Sequence, residues 1–310
     1  MADRQSTASP CQMLPGSPSL EALGRALIDL PHPVVVHRMG IILWANSAAA
    51  EIVGAPSPDA LVGLDSLLFV TPEQREFAHE RQATLLRDGV LPGSSVLRLL
   101  RFDGSELVGE AMAALMDWEG EPAACMVLWD ITTRYETERR LAWEATHDTL
   151  TSLANRRGVL DQLAGWSTEP SADGSGVGVI IVDLDGFKGV NDTLGHDCGD
   201  RVLVEIAEQL RQLAAGHLVG RFGGDEFIVC VRGSLAEVHR LTEAVAGITV
   251  ALRAGDDGGE LAVVPSVGAA WSRSGTAQCR ADPLIVAADH AMYRAKRDHL
   301  GWIVEQRPEE

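Results

Sequence analysis

The chain of 310 residues has a mass of 33.2 kDa, which is enough for about two domains of ordinary size. Apolar residues make up 46% and charged residues 23%, which excludes a chain that is disordered throughout. The net charge of −18 repels polyanions, so a nucleic acid polymer is excluded as an expected partner. Only two of the 26 basic residues are lysines, Lys188 and Lys296, and the others are arginines.

The cysteines and the apolar runs indicate a cytoplasmic protein. The cysteines are odd in number and lack the spacing of a zinc knuckle or a disulfide framework, which indicates reduced thiols; they are Cys11, Cys125, Cys198, Cys230 and Cys279. No apolar run reaches the ~18 residues of a membrane span, so we expect no membrane insertion. Met1–Pro10 lacks the pattern of a secretory signal, and residues 1–18, rich in Ser and Pro, predict a disordered tail.

Residues 19–132 have the pattern of a small antiparallel sheet with helices. Apolar residues at helical spacing predict a first helix over Leu20–Leu30. Runs of strand length predict strands at Val34–Arg38, Ile41–Ala45, Ser95–Phe102, Glu106–Leu115 and Ala123–Trp129. Asn46 or Ser47 is placed to cap a short helix over Ala48–Ile52. Glycine-containing turns between the strands predict hairpins, so we expect helices on one face of an antiparallel sheet.

Residues 133–147 change in character and predict an exposed helix that links two domains. The stretch Thr132–Leu141 has no glycine or proline and is mostly polar or charged. A short parallel coiled coil and a solvated single helix both fit this pattern, because about two heptads are too few to decide between them.

Residues 148–310 have the alternation of a mixed α/β domain. Helical spacing predicts helices over residues 150–163, 200–215, 234–245 and 283–297. Apolar runs predict strands at Val177–Val182, Leu218–Arg221, Glu226–Val231, Leu261–Ala270 and Gly301–Glu305. Because proline cannot donate to a strand ladder, Pro265 is expected at an edge or a bulge.

Two pairs of acidic residues stand beside these apolar strands. Asp183 and Asp185 follow the strand predicted to end at Val182, and a second pair closes the glycine hairpin Gly223–Glu226. Carboxylates held on rigid strands bind hard divalent cations, and two such cations can activate a hydroxyl and stabilise a leaving phosphate. An acidic hairpin tip by itself is more often a solvated turn, so the second pair and the nearby Lys188 are what favour a site.

The hairpin sequence Gly223–Phe227 resembles the signature of the GGDEF family of diguanylate cyclases. Further stretches resemble other motifs of that family in the same order; they are Asp148–Arg157, Asp183–Asp192, Gly195–Asp200 and Ala288–Lys296. A lone motif is only a hypothesis, whereas an ordered series across the whole segment is specific. The family condenses two GTP molecules into cyclic di-GMP and releases two pyrophosphates, on a fold similar to the nucleotidyl-cyclase and polymerase palm.

The resemblance implies a role for each matching residue. Magnesium, or manganese in its place, would be held by Asp183, the Leu184 carbonyl, Asp225 and Glu226, and the catalytic residues would be Asp225, Glu226 and Lys188. Substrate binding is implied for Phe187, Lys188, Asn191, Asp200, Gly223, Gly224, Lys296 and Arg297. Among these, Asn191 and Asp200 would bond the guanine edge, and the main-chain N–H groups of residues 185–188 would cradle phosphates where a helix begins.

Residues 19–132 resemble a PAS domain. The resemblance depends on the strand-to-helix junction at Asn46, the hairpin at Asp103–Ser105 and the closing Trp129–Thr132. The sequence identifies neither its signal nor its ligand, and lone histidines such as His37 do not indicate haem. Each site in the GGDEF family holds one GTP, which implies a homodimer whose halves the PAS-like domain and the linker would bring together. The expected fold is therefore α/β (α+β), a PAS-like domain joined by a helix to a palm-like domain.

Two departures from the family pattern lead to further expectations. Many relatives carry an R-x-x-D product-inhibition site where this chain has Ala214 and His217, so we expect no feedback inhibition through it. After Lys296 the usual glycine and basic residue are missing, and Arg297 is the candidate replacement. The intact signature favours an active cyclase. The alternatives are a catalytically silent regulator that binds GTP or cyclic di-GMP, and a cyclase with a mononucleotide product.

Overall fold

The computed structural model of the chain describes residues 25, 28–89, 93–168, 175–253, 260–274 and 280–307. The chain divides into two compact units, Met1–Glu138 and Arg139–Glu310. The predicted tail over residues 1–18 and most of the helix predicted over residues 20–30 lie outside the described residues. None of the helices within the described ranges has the length and apolar content needed to cross a membrane.

The first unit is built on a five-stranded antiparallel sheet, as the sequence predicts. Its strands are β1 (Val34–Arg38), β2 (Ile41–Ala45), β3 (Ser95–Leu100), β4 (Glu106–Trp118) and β5 (Glu121–Asp130), in the order β2-β1-β5-β4-β3. Helices α1 (Ser47–Val53) and α2 (Arg75–Asp88) and three short 3₁₀ helices lie between β2 and β3 in the chain. The pattern did not predict α2, because Ala78 and Leu85 are its only buried side chains and leave little apolar periodicity.

Asn46 fixes the junction between β2 and α1, as its predicted capping role requires. Its side-chain oxygen accepts hydrogen bonds from the amide of Ala49 at 2.9 Å and from the amide of Val34 at 3.0 Å. Its side-chain amide donates to the carbonyl of His32 at 2.9 Å. This side chain is buried, so one residue satisfies backbone groups at the start of a strand and of a helix.

Helix α3 (Thr132–Glu144) occupies the stretch predicted as a linker, and the boundary between the two units falls inside it. No residue of this helix is buried in the single chain. Ion pairs spaced by four residues join Arg134 to Glu138 and Arg140 to Glu144, the spacing that supports exposed helices. These features agree equally with a solvated helix and with one strand of a coiled coil.

The second unit is a seven-stranded mixed sheet with helices on both faces. Its strands are β6 (Ala154–Asn155), β7 (Gly176–Asp185), β8 (Leu218–Gly223), β9 (Glu226–Gly233), β10 (Val250–Arg253), β11 (Glu260–Arg273) and β12 (Trp302–Gln306). Its helices are α4 (Arg156–Thr168), α5 (Phe187–Leu194), α6 (His196–Leu213), α7 (Leu235–Ala246) and α8 (Ala281–Arg297). The strand order is β10-β11-β7-β9-β8-β6, and β12 pairs with β11.

Strand β7 is the centre of this unit, and both of its faces are covered. Ile180, Val182 and Leu184 belong to the core cluster that includes apolar residues of α6 and α7. Val179 and Ile181, on the other face, pack with residues of α4 and α8. A strand buried on both faces has a nearly continuous apolar sequence, which is why the sequence predicted it clearly.

The structure corrects three predicted boundaries in the second unit. The helix predicted over residues 150–163 begins only at Arg156, because the Asp148 carboxylate accepts bonds from the amide and hydroxyl of Thr151 and holds a turn there. The helix predicted over residues 200–215 starts earlier, at His196. Strand β7 continues past Val182 to Asp185, since its last residues still pair with β11. The acidic residues predicted to follow the strand therefore lie within it.

Pro265 lies inside the sheet at a position that tolerates proline. It pairs with Leu184 on the β7 side of β11. On the other side, β10 pairs with residues 260–263 and β12 pairs with residues 267–271. Pro265 falls between these two partners, so its missing N–H interrupts neither ladder, in agreement with the predicted edge-like position.

Candidate active site

The carboxylates predicted from the sequence meet at one end of the central strands. In the antiparallel register of β7 and β9, Asp183 lies directly opposite Glu226. Asp225 precedes Glu226 at the tip of the hairpin, where Gly223 has φ 140° and Gly224 has φ 55°. Backbone with these positive φ values favours glycine, so the two glycines allow the turn that brings the acids back toward β7.

Lys296 is the second feature that the fold brings to these carboxylates. Its ammonium group forms ion pairs with Asp183 and with Asp185, the latter at 2.9 Å between Nζ and Oδ1. The Ser266 hydroxyl donates to the other oxygen of Asp185 at 2.5 Å. Burial by itself lowers the pKa of Lys296, but its hydrogen bonds to the two carboxylates outweigh burial and raise the pKa above its ordinary value. The lysine is therefore a fixed positive charge beside the two aspartates.

The packing of α8 against β11 explains why Lys296 reaches this place. A Cβ atom at Gly268 would lie only 1.9 Å from the backbone nitrogen of Met292, so the helix and the strand touch backbone to backbone. Lys296 follows Met292 by four residues, about one helical turn, on the same face. The close approach carries its side chain over the end of β7.

Glu226 is the acid of this cluster whose pKa is raised. Burial raises its pKa first, and the like charges of Asp183, Asp225 and Asp289 raise it further, while Arg156 opposes them. The guanidinium of Arg156 lies 5.2 Å from the centre of the Phe222 ring. Asp289 and Arg156 lie within the family motifs, but the resemblance implies a role for neither. Repulsion among carboxylates is the pattern expected where a cation binds.

The oxygen atoms at this end of the sheet are of the chemical type that binds a hard divalent cation. Three carboxylates, Asp183, Asp225 and Glu226, and the carbonyl of the buried Leu184 are the kind of ligand that magnesium prefers. Across the described ranges, no three acidic, histidine or cysteine side chains gather closely enough to hold a metal ion. Asp183 is paired instead with Lys296 on α8.

Helix α5 presents its N-terminus just after the acidic end of β7. Gly186 is its capping residue, and Phe187 begins the helix with a buried side chain that anchors the first turn in the core. The predicted substrate contact of Phe187 is therefore available only to its main-chain N–H. Lys188 is exposed on the same turn. A helix N-terminus with free amides and a nearby lysine suits a phosphate group.

Asn191 and Asp200 lie on two consecutive helices, α5 and α6, and Gly199 makes room for the first of them. A Cβ atom at Gly199 would lie 2.0 Å from the side-chain oxygen of Asn191, so the amide of Asn191 rests over that glycine. Asp200 is the next residue and is exposed at the surface. Both residues lie on consecutive helices, and their guanine contacts stay a prediction.

Arg221 connects the glycine hairpin to the turn before α4, a contact that sequence reasoning missed. Its guanidinium donates to the carbonyl of Gly224 at 2.7 Å and to Asp148 at 3.0 Å. Burial alone raises the pKa of Asp148, but hydrogen bonds from Thr151 and Arg221 outweigh it and hold the pKa below its usual range. We refer to this set of contacts, Asp148–Arg221–Gly224, as the hairpin brace.

Expectations remain for three further positions, Arg297, Ala214 and His217. Arg297 forms an ion pair with its neighbour Asp298 at 2.7 Å, so its predicted phosphate contact stays a prediction. Ala214 is buried, and His217 lies 3.3 Å from Glu237, where the product-inhibition site of many relatives would be. The absence of feedback through these positions also stays a prediction.

Comparison with protein families agrees with this geometry. Residues 145–300 match the family described as "Diguanylate cyclase, GGDEF domain", and residues 22–131 match the family described as "PAS fold". The two matches have the order that the motifs predict.

Individual relatives extend the comparison. An uncharacterized signaling protein of Caulobacter vibrioides is 32% identical over 91% of this chain and 34% of its own length. Diguanylate cyclase TpbB of Pseudomonas aeruginosa is 38% identical over 52% of this chain and 37% of its own length. This chain therefore spans about a third of the length of each of these relatives.

Among solved structures, the coiled coil and GGDEF domain of DgcB from Caulobacter crescentus, in complex with c-di-GMP, is 29% identical. That structure aligns with a TM-score of 0.48 over 57% of this chain and 93% of the DgcB chain. The GGDEF family match covers half of the present chain and includes every acidic residue of the cluster. The chain belongs to the GGDEF diguanylate cyclase family and carries a PAS-fold domain ahead of its GGDEF domain.

Proposed function

We propose that this protein is a diguanylate cyclase that condenses two GTP molecules into cyclic di-GMP, releases two pyrophosphates, and is regulated by its PAS domain. The observation that carries the proposal is the pairing of Asp183 with Glu226 across β7 and β9, beside an intact Gly223–Glu226 hairpin. Membership of the GGDEF family and a relative named as a diguanylate cyclase support the same activity.

Magnesium is the proposed cofactor, with manganese as a substitute. Asp183, the Leu184 carbonyl, Asp225 and Glu226 would hold it. A divalent cation in such a site lowers the pKa of an attacking hydroxyl and offsets the charge of a leaving pyrophosphate. Burial raises the pKa of Glu226, and repulsion from neighbouring carboxylates raises it further. That repulsion supports this assignment, because a bound cation would relieve it.

The remaining site residues divide the binding of GTP between its two ends. Asn191 on α5 and Asp200 on α6 would bond the guanine edge. The free amides of the first turn of α5, together with Lys188, would hold the phosphates. Lys296 would exchange part of its contact with Asp183 for the triphosphate, since both partners are anionic.

A homodimer is the proposed active form. In each half reaction the 3′-hydroxyl of one GTP attacks the α-phosphorus of the other, a new O–P bond forms, and pyrophosphate leaves. If each site holds a single GTP, two sites must face each other to bring the reacting atoms into line. The PAS domain and α3 precede the catalytic unit in the chain, so they are placed to control that approach.

The proposal is tested by nucleotide chromatography after incubation of the full chain with GTP and magnesium. We expect cyclic di-GMP from the unchanged protein and a loss of at least about a hundredfold in Asp183→Ala and Asp225→Ala. Asp161→Asn is the matched control, because Asp161 is an exposed acid on α4 that pairs with Arg157. Undiminished product from either alanine variant would contradict the assignment. GTP binding without any product would instead identify a silent regulator.

A further inference from the structure

Asp185 is an acidic residue at the end of β7 to which the proposed reaction gives no role. It lies two residues beyond Asp183 on the same strand, so both side chains point to the same face of the sheet. Each oxygen of its carboxylate has a partner: Oδ1 lies 2.9 Å from Nζ of Lys296, and Oδ2 accepts a hydrogen bond from the hydroxyl of Ser266 at 2.5 Å. Asp185 is therefore held by side chains from two different elements, α8 and β11.

Ser266 reaches Asp185 because of the register between β11 and β7. It lies directly opposite Asp183, and opposite residues of antiparallel strands present their side chains on the same face. Its hydroxyl donates diagonally to the carboxylate two residues further along β7. Ser266 is 6% exposed, and 2.5 Å is in the range of a charge-assisted O–H···O bond. The serine therefore fixes the orientation of the Asp185 carboxylate.

The two aspartates that pair with Lys296 differ in what else they meet. Asp183 lies opposite Glu226 in the register of β7 and β9, beside the other acids of the proposed cation site. Asp185 has its second oxygen committed to Ser266 instead. If Asp183 holds a divalent cation, its carboxylate is shared and its ion pair with Lys296 weakens. The ion pair with Asp185 uses a carboxylate outside the proposed cation ligands, so it is the one that remains.

We propose that Asp185, oriented by Ser266, is a positioning residue that keeps Lys296 at the phosphate end of the GTP site when Asp183 holds the divalent cation. The inference rests on the proposed function, which assigns Lys296 to the triphosphate and Asp183 to magnesium. It adds strand β11 to the site through Ser266, which lies outside the stretches that match the family motifs.

The benefit of this contact is that Lys296 is in place before the nucleotide binds. A lysine has a flexible four-carbon stem that loses rotamer freedom when its ammonium group is fixed, and 45% of the Lys296 side chain is exposed. The close contact of α8 with β11 at Gly268 directs the stem toward β7, and Asp185 holds its end. Less entropy is then lost when the triphosphate binds.

The test measures the binding of a GTP analogue in which a methylene group replaces the oxygen between the α- and β-phosphorus atoms. The analogue cannot release pyrophosphate, so calorimetric titration into the full chain with magnesium measures binding without turnover. We expect Asp185→Asn to weaken binding about tenfold and Ser266→Ala to weaken it about fivefold. The direction is informative, because loss of one negative charge beside a triphosphate would by itself tighten binding.

A double-substitution cycle shows whether Asp185 acts through Lys296. Lys296→Met removes the ammonium group and keeps an unbranched, flexible stem. In that background, Asp185→Asn should weaken binding by less than about twofold, because the group that it positions is gone. A residue that only stabilised the sheet would give the same loss in both backgrounds.

Two control variants match these changes away from the site. Asp161→Asn alters an exposed acid on α4 that pairs with Arg157. Ser94→Ala removes a hydroxyl that donates to the Glu110 carboxylate at 2.5 Å in the first unit. Both should bind the analogue as the unchanged chain does, and circular dichroism checks that every variant is folded.

The outcomes that oppose the inference are distinct from those that oppose the proposed activity. Unchanged or tighter binding in folded Asp185→Asn, or an equal loss with and without Lys296, would overturn the positioning role. No binding of the analogue to the unchanged chain would overturn the GTP site and the inference with it. A chain that binds the analogue but forms no cyclic di-GMP from GTP would contradict the proposed activity, and the variants would still decide the role of Asp185.

Discussion

At the scale of single residues, Lys296 has the most informative position in the catalytic unit. One ammonium group contacts two carboxylates of β7, Asp183 and Asp185, although more than a hundred residues separate it from them in the chain. A compact ammonium can lie between two carboxylates, whereas a planar guanidinium requires a wider, directional arrangement. In a chain with 24 arginines, the lysine at this position therefore fits the space between the two carboxylates better than an arginine would.

We expect Lys296→Arg to lower the rate of cyclic di-GMP formation by at least about tenfold, because the larger planar group displaces the Asp183 carboxylate with which Lys296 pairs. Steady-state measurement of product at saturating GTP and magnesium checks this. The matched control is Arg240→Lys, an exchange at an exposed position on α7 that should leave the rate unchanged. Full activity in Lys296→Arg would mean that the choice of lysine carries no information about the site.

At the scale of elements, the hairpin brace fixes the catalytic turn. Arg221 holds the carbonyl of Gly224 and the carboxylate of Asp148 at the same time, so the glycine hairpin is tied to the turn that begins α4. That turn also touches the end of the linker region, because Asn155 donates to the carbonyls of Glu144 and His147. A short series of hydrogen bonds therefore connects the end of the linker region to the glycine hairpin, so a displacement of the linker end would shift the hairpin.

The brace predicts a pH dependence of stability. The pKa of Asp148 is lower in the folded than in the unfolded protein, so its contribution is fully present above the unfolded value and is lost as the pH falls through the folded value. Asp148→Asn should destabilise the second unit by about 1 kcal/mol at pH 7, a value reduced by partial exposure to solvent. Urea unfolding at pH 7 and at pH 3 measures this. An equal loss at both pH values would contradict the ionic origin of the brace.

The packing of α5 against α6 gives a test of the guanine contacts. Gly199→Ala would place a Cβ atom against the amide oxygen of Asn191, so we expect the KM for GTP to rise about tenfold with a smaller change in kcat. Gly165→Ala, on α4 where an added Cβ meets no atom within 4 Å, is the control. If both variants had the same KM, Asn191 would not be a guanine ligand.

The elements were predictable to different degrees, for physical reasons. Strand β7 could be predicted because a strand buried on both faces has a long apolar run. Its last residues were not predicted as strand, because aspartate is uncommon in strands. Helix α5 was missed as a pattern because it is only eight residues long. The acidic pairs were recognisable as carboxylates beside apolar strands, and the motif resemblance added their individual roles. The contacts of Lys296 and Arg221 could not be predicted, since sequence spacing does not specify which distant side chains meet.

At the scale of the whole molecule, the chain combines a unit with an apolar cavity and a unit with an acidic site. The polar helix α3 contains the boundary between them and buries none of its residues in the single chain. This exposure is compatible with a solvated helix and equally with a second copy of the chain as partner, which the proposed chemistry would require.

We therefore expect the specific activity of the cyclase to rise with protein concentration and to level off once the dimer is saturated. Product formation across a hundredfold range of protein, alongside sedimentation to determine the oligomeric state, measures this. A specific activity that stays constant down to concentrations at which only monomer sediments would contradict the need for two facing sites.

The central claim is that the acidic hairpin and the end of β7 form a site that joins two GTP molecules. The most direct measurement is the identity and stoichiometry of the products when the full chain is incubated with GTP and magnesium and the mixture is separated by chromatography. We expect cyclic di-GMP with two pyrophosphates released for each molecule formed. A cyclic mononucleotide with one pyrophosphate, or GTP recovered unchanged, would contradict it.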